Sequence, residues 1–283
     1  AVATPISLGR ANYWIGRAQE ALGDDDAAQI AYAEGGAHQT SFYGLLAAER
    51  AGLPPDPALA GNGAGAGWRT AAFRRTPLYK AGVLLLATGR RSLAERFFVS
   101  LAGTLDATGV ARLGRALEEM GEPHLPVMVG KAAARRGIVV ARPYFALHPL
   151  HEMDLPVPTE LALAIARRES EFDARVRSGA GAIGMMQLMP GTAAEMAGAL
   201  GLDHDPGRVL SDWRLNARLG AAYLADLAAR FDGNVIMVSA GYNAGPSRPR
   251  RWMEARGDPR GGPEDDIVDW IEHIPFRETR NYV

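Results

Sequence analysis

Residues 161–200, LALAIARRESEFDARVRSGAGAIGMMQLMPGTAAEMAGAL, place a carboxylate on the apolar face of a helix and follow that helix with a glycine-rich loop. Apolar residues, Ile165 and Phe172 among them, form one stripe of an amphipathic helix predicted over 158–172. Glu169 falls inside this stripe. Because burial disfavours the charged form of a carboxyl group, the pattern predicts a raised pKa for Glu169, which a general acid working near neutral pH requires.

The same helix also admits a purely structural interpretation. Glu169 can pair with Arg167 or Arg168 and lie at the rim of the core, since structural ion pairs also perturb carboxylates. We predict that Thr159 caps the N-terminus of the helix and that Glu171 points to solvent.

A glycine-rich segment and a methionine-rich segment follow the helix. Residues 179–184 match the pattern G-x-G-x-x-G, but a dinucleotide site needs a buried strand before this pattern and a helix after it, and neither is indicated. Residues 185–189, MMQLM, lie between glycine and proline and are predicted to be extended. Met185, Gln187 and Met189 would then share one face.

Five motifs in this order resemble the soluble lytic murein transglycosylases, whose catalytic domain is similar to goose-type lysozyme. The motifs are Glu169-Ser170, Ser178, Gly181 to Ala193, Tyr242-Asn-Ala-Gly245 and Glu278-Thr-Arg-Asn-Tyr-Val283. Two departures are visible: Met185 stands where leucine is usual, and Pro249 interrupts a segment that is commonly apolar.

The resemblance implies cleavage of peptidoglycan between N-acetylmuramic acid and N-acetylglucosamine, with 1,6-anhydromuramoyl products and Glu169 as the single acid and base. It also implies substrate-binding residues, which are Ser178, Gln187, Met189, Tyr242 and Glu278. No cofactor and no metal are expected. The implied partner is the peptidoglycan glycan strand, and the implied location is the periplasm, with the export signal absent from this chain.

Two other functions stay open. A hydrolytic muramidase would need a second carboxylate across the scissile bond, and Asp173 lies one turn from Glu169 but at the helix exit. A non-catalytic peptidoglycan-binding module would not need Glu169, Gln187 and Tyr242 together.

Bulk composition excludes several classes of protein. The 283 residues include 31 basic and 32 acidic residues, so no charge excess indicates a nucleic-acid partner. The chain has no cysteine, which excludes disulfides and cysteine-ligated metals. No apolar run approaches the length of a membrane span.

The composition and periodicity predict a mainly α fold with a linker, and the resemblance implies what its three parts are. Residues 1–60 are predicted to be the end of a TPR-like helical superhelix, with a plain helical bundle as the alternative. Residues 61–150 are predicted to be a helical linker domain that follows a glycine-rich boundary at 61–67. Residues 151–283 are predicted to be the lysozyme-like α domain, with a minor β-hairpin.

Finer predictions concern individual helices and two polar clusters. In the first part, Leu22 is expected to face Ile30. Linker helices are expected near 76–88, 93–101, 108–120 and 125–136. His148, His151 and Glu152 resemble a metal site but lack helical ligand spacing, so a surface position is expected. The basic segment 247–252 can meet carboxylates of a peptide stem or simply begin a helix.

Overall fold

We describe residues 4–60, 67–203 and 205–283 of a computed structural model of the chain, without the side chains of 264–266. The chain divides into two compact units, and the boundary lies between Ala146 and Leu147. The predicted mainly α fold is confirmed. The division into three parts stays a prediction, and the proposed linker residues 61–66 lie outside the described residues.

Short and medium helices build the first unit. In chain order they are α1 (Pro5–Leu22), α2 (Asp25–Gly36), α3 (Phe42–Arg50), α4 (Pro77–Ala87), α5 (Arg91–Ala102), α6 (Ala107–Glu119), α7 (His124–Ala134) and α8 (Ala141–Tyr144), with 3₁₀ turns at Pro57–Ala60, Trp68–Thr70 and Ala72–Arg75. The four predicted linker helices correspond to α4 to α7, with ends that differ by two residues or fewer.

Tyrosine rings fill the interface of α1, α2 and α3. The Tyr13 ring lies 5.2 Å from the Tyr43 ring and 6.0 Å from the Tyr32 ring, measured between centroids. The predicted contact between Leu22 and Ile30 is wrong, because the side chains are 79% and 64% exposed. The large aromatic rings take the space between the helices and leave both aliphatic side chains outside.

The second unit contains the stretch 161–200. Its helices are α9 (Thr159–Ser170), α10 (Pro190–Ala199), α11 (Pro206–Ser211), α12 (Trp213–Arg230), α13 (Val235–Ala244), α14 (Ser247–Arg256), α15 (Glu264–Glu272) and α16 (Arg277–Tyr282), with a 3₁₀ turn at Pro149–Glu152. The long helix α12 packs against α9, α10 and α13, and its residues Ala217, Leu219 and Leu224 are fully buried.

Proline positions agree with the ends of these helices. Pro190 and Pro206 begin α10 and α11, where a missing backbone N–H costs nothing. Pro249 lies in the first turn of α14, so this departure from the family pattern does not interrupt the helix. Thr159 is the first residue of α9 rather than its cap, and its side chain makes no capping hydrogen bond; Pro158 takes the cap position.

The prediction of an extended segment at 185–189 is wrong. The described β structure of this region is limited to isolated antiparallel bridges that pair Ile183 with Arg177 and with Leu188. Positive φ angles at Gly184 and Gln187 turn the chain back on itself. Met185 and Met186 are both fully buried, so neighbouring side chains do not alternate between two faces as they would in a strand.

Candidate active site

Glu169 lies in the last turn of α9, where the helix ends abruptly. The next residues, Glu171 and Phe172, have φ angles of 47° and 67°, which stop the helix and turn the chain inward. Phe172 is buried at 3% exposure, as the apolar stripe predicts. Glu171 is half-exposed, and its backbone is already outside the helical conformation, so the helix face predicted for it does not apply.

Burial raises the pKa of Glu169 from its usual value of 4.5 to about 7. Two neighbours oppose this effect, namely the hydroxyl of Tyr282 and the positive charge of Arg168, while the negative charge of Glu278 adds to it. The predicted raised pKa therefore agrees with the structure. The charge of Arg168 acts to lower the pKa of Glu169, but burial outweighs it and the net shift is upward, which disfavours the structural interpretation.

Tyr282 is the direct hydrogen-bond partner of Glu169. Its hydroxyl donates to Oε1 of Glu169 over 2.6 Å, across 113 residues of sequence. The guanidinium of Arg168 lies 5.5 Å from the centre of the Tyr282 ring and donates a hydrogen bond of 3.2 Å to the carbonyl of Asn281. These contacts hold helix α16 against the end of α9. Tyr282 lies in the last of the five sequence motifs, but no role was predicted for it.

Side chains from three helices form hydrogen bonds with the backbone of the loop after α9. The Ser170 hydroxyl donates to the carbonyl of Met185 over 2.6 Å, and the Tyr242 hydroxyl donates to the carbonyl of Met186 over 2.8 Å. The fully buried Asn216 accepts from the backbone N–H of Met186 and donates to the carbonyl of Ile183. The loop is therefore held rigidly beside Glu169 by side chains from α9, α12 and α13.

Gly184 is required where the loop meets Asn216. Its φ of 78° is one that side chains rarely adopt, and an added Cβ would overlap the Asn216 amide. Gly184 is the last glycine of the pattern G-x-G-x-x-G, and it allows the loop to pack closely against helix α12.

The structure places Ser178 and Gln187 as loop-forming residues. Ser178 accepts a hydrogen bond of 2.9 Å from the backbone N–H of Ala182. Gln187 donates through Nε2 to the carbonyls of Gly184 and Val176, over 2.8 and 3.2 Å. Neither side chain contacts Glu169 directly in the described structure, so both shape the loop beside it.

The other three predicted substrate-binding residues, Met189, Tyr242 and Glu278, differ in their exposure to solvent. Met189 is 45% exposed at the start of α10. Tyr242 lies in the last turn of α13, as predicted, and burial together with the charge of Glu169 raises its pKa well above 10. Glu278 is exposed in the first turn of α16 and influences Glu169 through its charge.

The prediction of a surface position for His148 is wrong. Its ring is 98% buried, lying 4.5 Å from the Trp213 ring and 5.3 Å from the Phe172 ring, and burial lowers its pKa to about 4. Nδ1 of His148 accepts from the backbone N–H of Leu150. Among the described residues, no cluster of side chains has the composition of a metal site, and no helix is long and apolar enough to cross a membrane.

Comparison with known proteins finds a family match within the second unit. Residues 152–261 match the family model described as the transglycosylase SLT domain. The soluble lytic murein transglycosylase of Escherichia coli K12 is 42% identical over 129 residues, which are 45% of this chain and 19% of that protein. A putative soluble lytic murein transglycosylase of Haemophilus influenzae is 30% identical over 198 residues, which are 69% of this chain and 32% of that protein.

Solved structures extend the similarity over nearly the whole chain. The 70-kDa soluble lytic transglycosylase of Escherichia coli has a TM-score of 0.74 at 26% identity, covering 97% of this chain and 44% of that one. An inactive mutant of the lytic transglycosylase Slt of Pseudomonas aeruginosa has a TM-score of 0.64 at 29% identity, with the same coverage. The chain spans less than half the length of each of these relatives. It belongs to the soluble lytic transglycosylase family.

Proposed function

We propose that this protein is a lytic transglycosylase that cleaves the β-1,4 bond between N-acetylmuramic acid and N-acetylglucosamine in peptidoglycan. The observation that supports this proposal best is the environment of Glu169, whose carboxyl group is partly buried, has a pKa raised to about 7 and accepts a hydrogen bond from Tyr282. The relatives are named for this activity on murein. The substrate would place this protein in the periplasm.

Glu169 can act first as an acid. A carboxyl group with a pKa of about 7 is half protonated at neutral pH, so it can donate its proton to the glycosidic oxygen as the bond to the muramoyl C1 breaks. The departing N-acetylglucosamine carries that proton away as a hydroxyl group. Positive charge then develops at C1, and the newly formed carboxylate of Glu169 stabilises it.

The same residue can act next as a base. The carboxylate takes the proton of the muramoyl 6-hydroxyl while that oxygen bonds to C1, which closes a 1,6-anhydro ring and restores protonated Glu169. No water is consumed. Because the hydroxyl is tethered to the sugar, its effective concentration is on the order of 10⁵ M, far above that of water.

The remaining residues would position the sugar and the acid. Ser178 and Gln187 shape the loop beside Glu169, and exposed Met189 offers an apolar contact at its end. Tyr242 donates a hydrogen bond to the Met186 carbonyl, and the charge of Glu278 adds a smaller rise to the pKa that burial gives Glu169.

The surroundings of Asp173 favour this reaction over hydrolysis with a second carboxylate. Oδ1 of Asp173 accepts from the backbone N–H of Arg175 over 3.0 Å and closes a turn at the helix exit. Among the described carboxylates, the exposed Glu278 is the one whose negative charge raises the pKa of Glu169.

Product analysis tests the proposal. Purified peptidoglycan is digested and the released muropeptides are weighed by mass spectrometry, with and without a chelator. We expect 1,6-anhydromuramoyl ends, which lack one water relative to reducing ends, and no effect of the chelator. Reducing ends as the main product would establish a hydrolase, and binding without any release would establish a non-catalytic module.

A further inference from the structure

We propose that a second site, on the N-terminal part of α12, binds the carboxylate groups of the peptide stems carried by the glycan. The site is a pocket of about 320 Å³ between the loop that follows α10 and the first turns of α12. Arg208, Arg214 and Arg218 line it. The choice of peptidoglycan as the ligand rests on the proposed function. The preference for carboxylate groups rests on the arginines of the pocket.

Repulsion between the positive charges of the three arginines destabilises this part of the fold. Arg214 and Arg218 are four residues apart on one face of α12, a spacing at which like charges repel. In the described part of the chain, the side chains of Arg208 and Arg218 form no hydrogen bond or ion pair. The Arg214 guanidinium lies 4.4 Å from the centre of the Trp213 ring and thereby stays near the pocket.

Acidic residues of the pocket offset only part of this positive charge. Oδ1 of Asp212 accepts from the backbone N–H groups of Arg214 and Leu215, over 3.0 and 3.1 Å, so it caps α12. Asp203 is the other carboxylate of the lining. Three guanidinium groups against two carboxylates leave a positive balance, and the planar guanidinium fork matches a carboxylate with two hydrogen bonds.

The site lies on the same helix as a residue that supports the candidate active site, but on another face. Asn216 follows Arg214 by two residues, which is more than half a turn of helix. It binds Ile183 and Met186 of the loop beside Glu169. A peptide stem bound here would anchor the polymer to the rigid helix without touching the reacting bond, which would favour glycan that carries uncut stems.

Calorimetric binding tests this site independently of catalysis. The protein carries Glu169→Gln so that the polymer is not consumed, and the ligand is a soluble stem tetrapeptide with free carboxylates. Arg208→Gln and Arg218→Gln should each weaken binding about fivefold, since each removes one partly exposed charge pair. Binding should also weaken as salt is added.

Matched control variants distinguish binding at the pocket from nonspecific attraction to basic residues elsewhere on the protein. Arg75→Gln removes the same charge from the first unit and should leave binding unchanged. Arg251→Gln tests the basic segment 247–252; if it weakens binding while Arg218→Gln does not, the proposal is overturned.

Three other outcomes would also overturn the proposal. They are equal binding of the amidated peptide, displacement by inorganic phosphate at concentrations equal to the peptide, and no measurable binding. A protein that proved to be a hydrolase in product analysis would still give the expected binding results, so the two proposals can fail separately.

Discussion

Replacing Glu169 by glutamine should stabilise the folded protein in alkaline solution and should also abolish most of its catalytic activity. Glutamine has nearly the same shape and can still accept the hydrogen bond from Tyr282. It has no proton to donate and no charge to bury. Loss of the acid and base should lower the rate at least a hundredfold, the lower end of what general acid–base catalysis contributes.

The size of the stability effect follows from the pKa of Glu169. The carboxyl loses its proton near pH 4.5 in the unfolded chain and near pH 7 in the folded protein, so between these values the folded state holds more protons. Its stability therefore falls as pH rises through this window. A pKa difference of about 2.5, at about 1.4 kcal/mol for each pKa unit, gives a penalty of about 3.5 kcal/mol, which partial exposure of the carboxyl reduces to about 2–3 kcal/mol. The penalty is complete well above pH 7 and absent below pH 4.5.

Denaturant unfolding followed by tryptophan fluorescence can measure this penalty. The stability difference between Glu169→Gln and the parent should be small at about pH 4 and about 2–3 kcal/mol in favour of glutamine at about pH 8. Glu171→Gln, two residues away, is the matched control and should show neither the pH dependence nor the loss of activity. A constant difference between Glu169→Gln and the parent at both pH values would refute the raised pKa.

Three further substitutions test the surroundings of Glu169. Tyr282→Phe should raise the pKa of Glu169 further, because the hydroxyl favours the carboxylate, and should move the alkaline limb of the kcat/KM profile up by about one pH unit. Glu278→Gln should move that limb down, because it removes a neighbouring negative charge, and an unchanged profile would show that the charge does not reach the site. Asn216→Ala should cost about 3 kcal/mol of stability by leaving buried backbone groups unpaired, whereas Asn281→Ala on the surface should be nearly neutral in the same unfolding assay.

The amphipathic pattern located Glu169 because a helix face is a local property of sequence. The period of 3.6 residues places Ile165 and Phe172 inside, and a carboxylate within that stripe is an exception that can be seen without a structure. Its partner Tyr282 is 113 residues away, and no period or spacing connects the two. Asn216 carried a signal that was overlooked, since it is a polar residue between apolar positions of a long helix.

The segment 185–189 shows why a local pattern can also mislead. Short apolar runs between glycine and proline are typical of strands, but strands need neighbours to satisfy their backbone groups. Here the backbone of Met185 and Met186 is satisfied by side chains of Ser170, Tyr242 and Asn216. Those side chains come from three helices, and only tertiary structure brings them together.

The acidity of Glu169 depends on how firmly the short helix α16 is docked. Six residues are too few for a stable isolated helix, so α16 depends on outside contacts. The buried Thr279 hydroxyl donates to Asn243 over 2.7 Å, and Arg280 donates to the carbonyl of Glu272 over 3.1 Å. Both contacts, like those of Arg168, fix the segment that carries Tyr282. If α16 detached, Glu169 would lose the hydrogen bond from Tyr282 and part of its burial. Loss of the hydrogen bond would raise the pKa of Glu169, whereas loss of burial would lower it. Burial is the largest of these effects and the charge of Glu278 on α16 adds to it, so a docked α16 keeps the pKa of Glu169 near 7 rather than close to its usual 4.5.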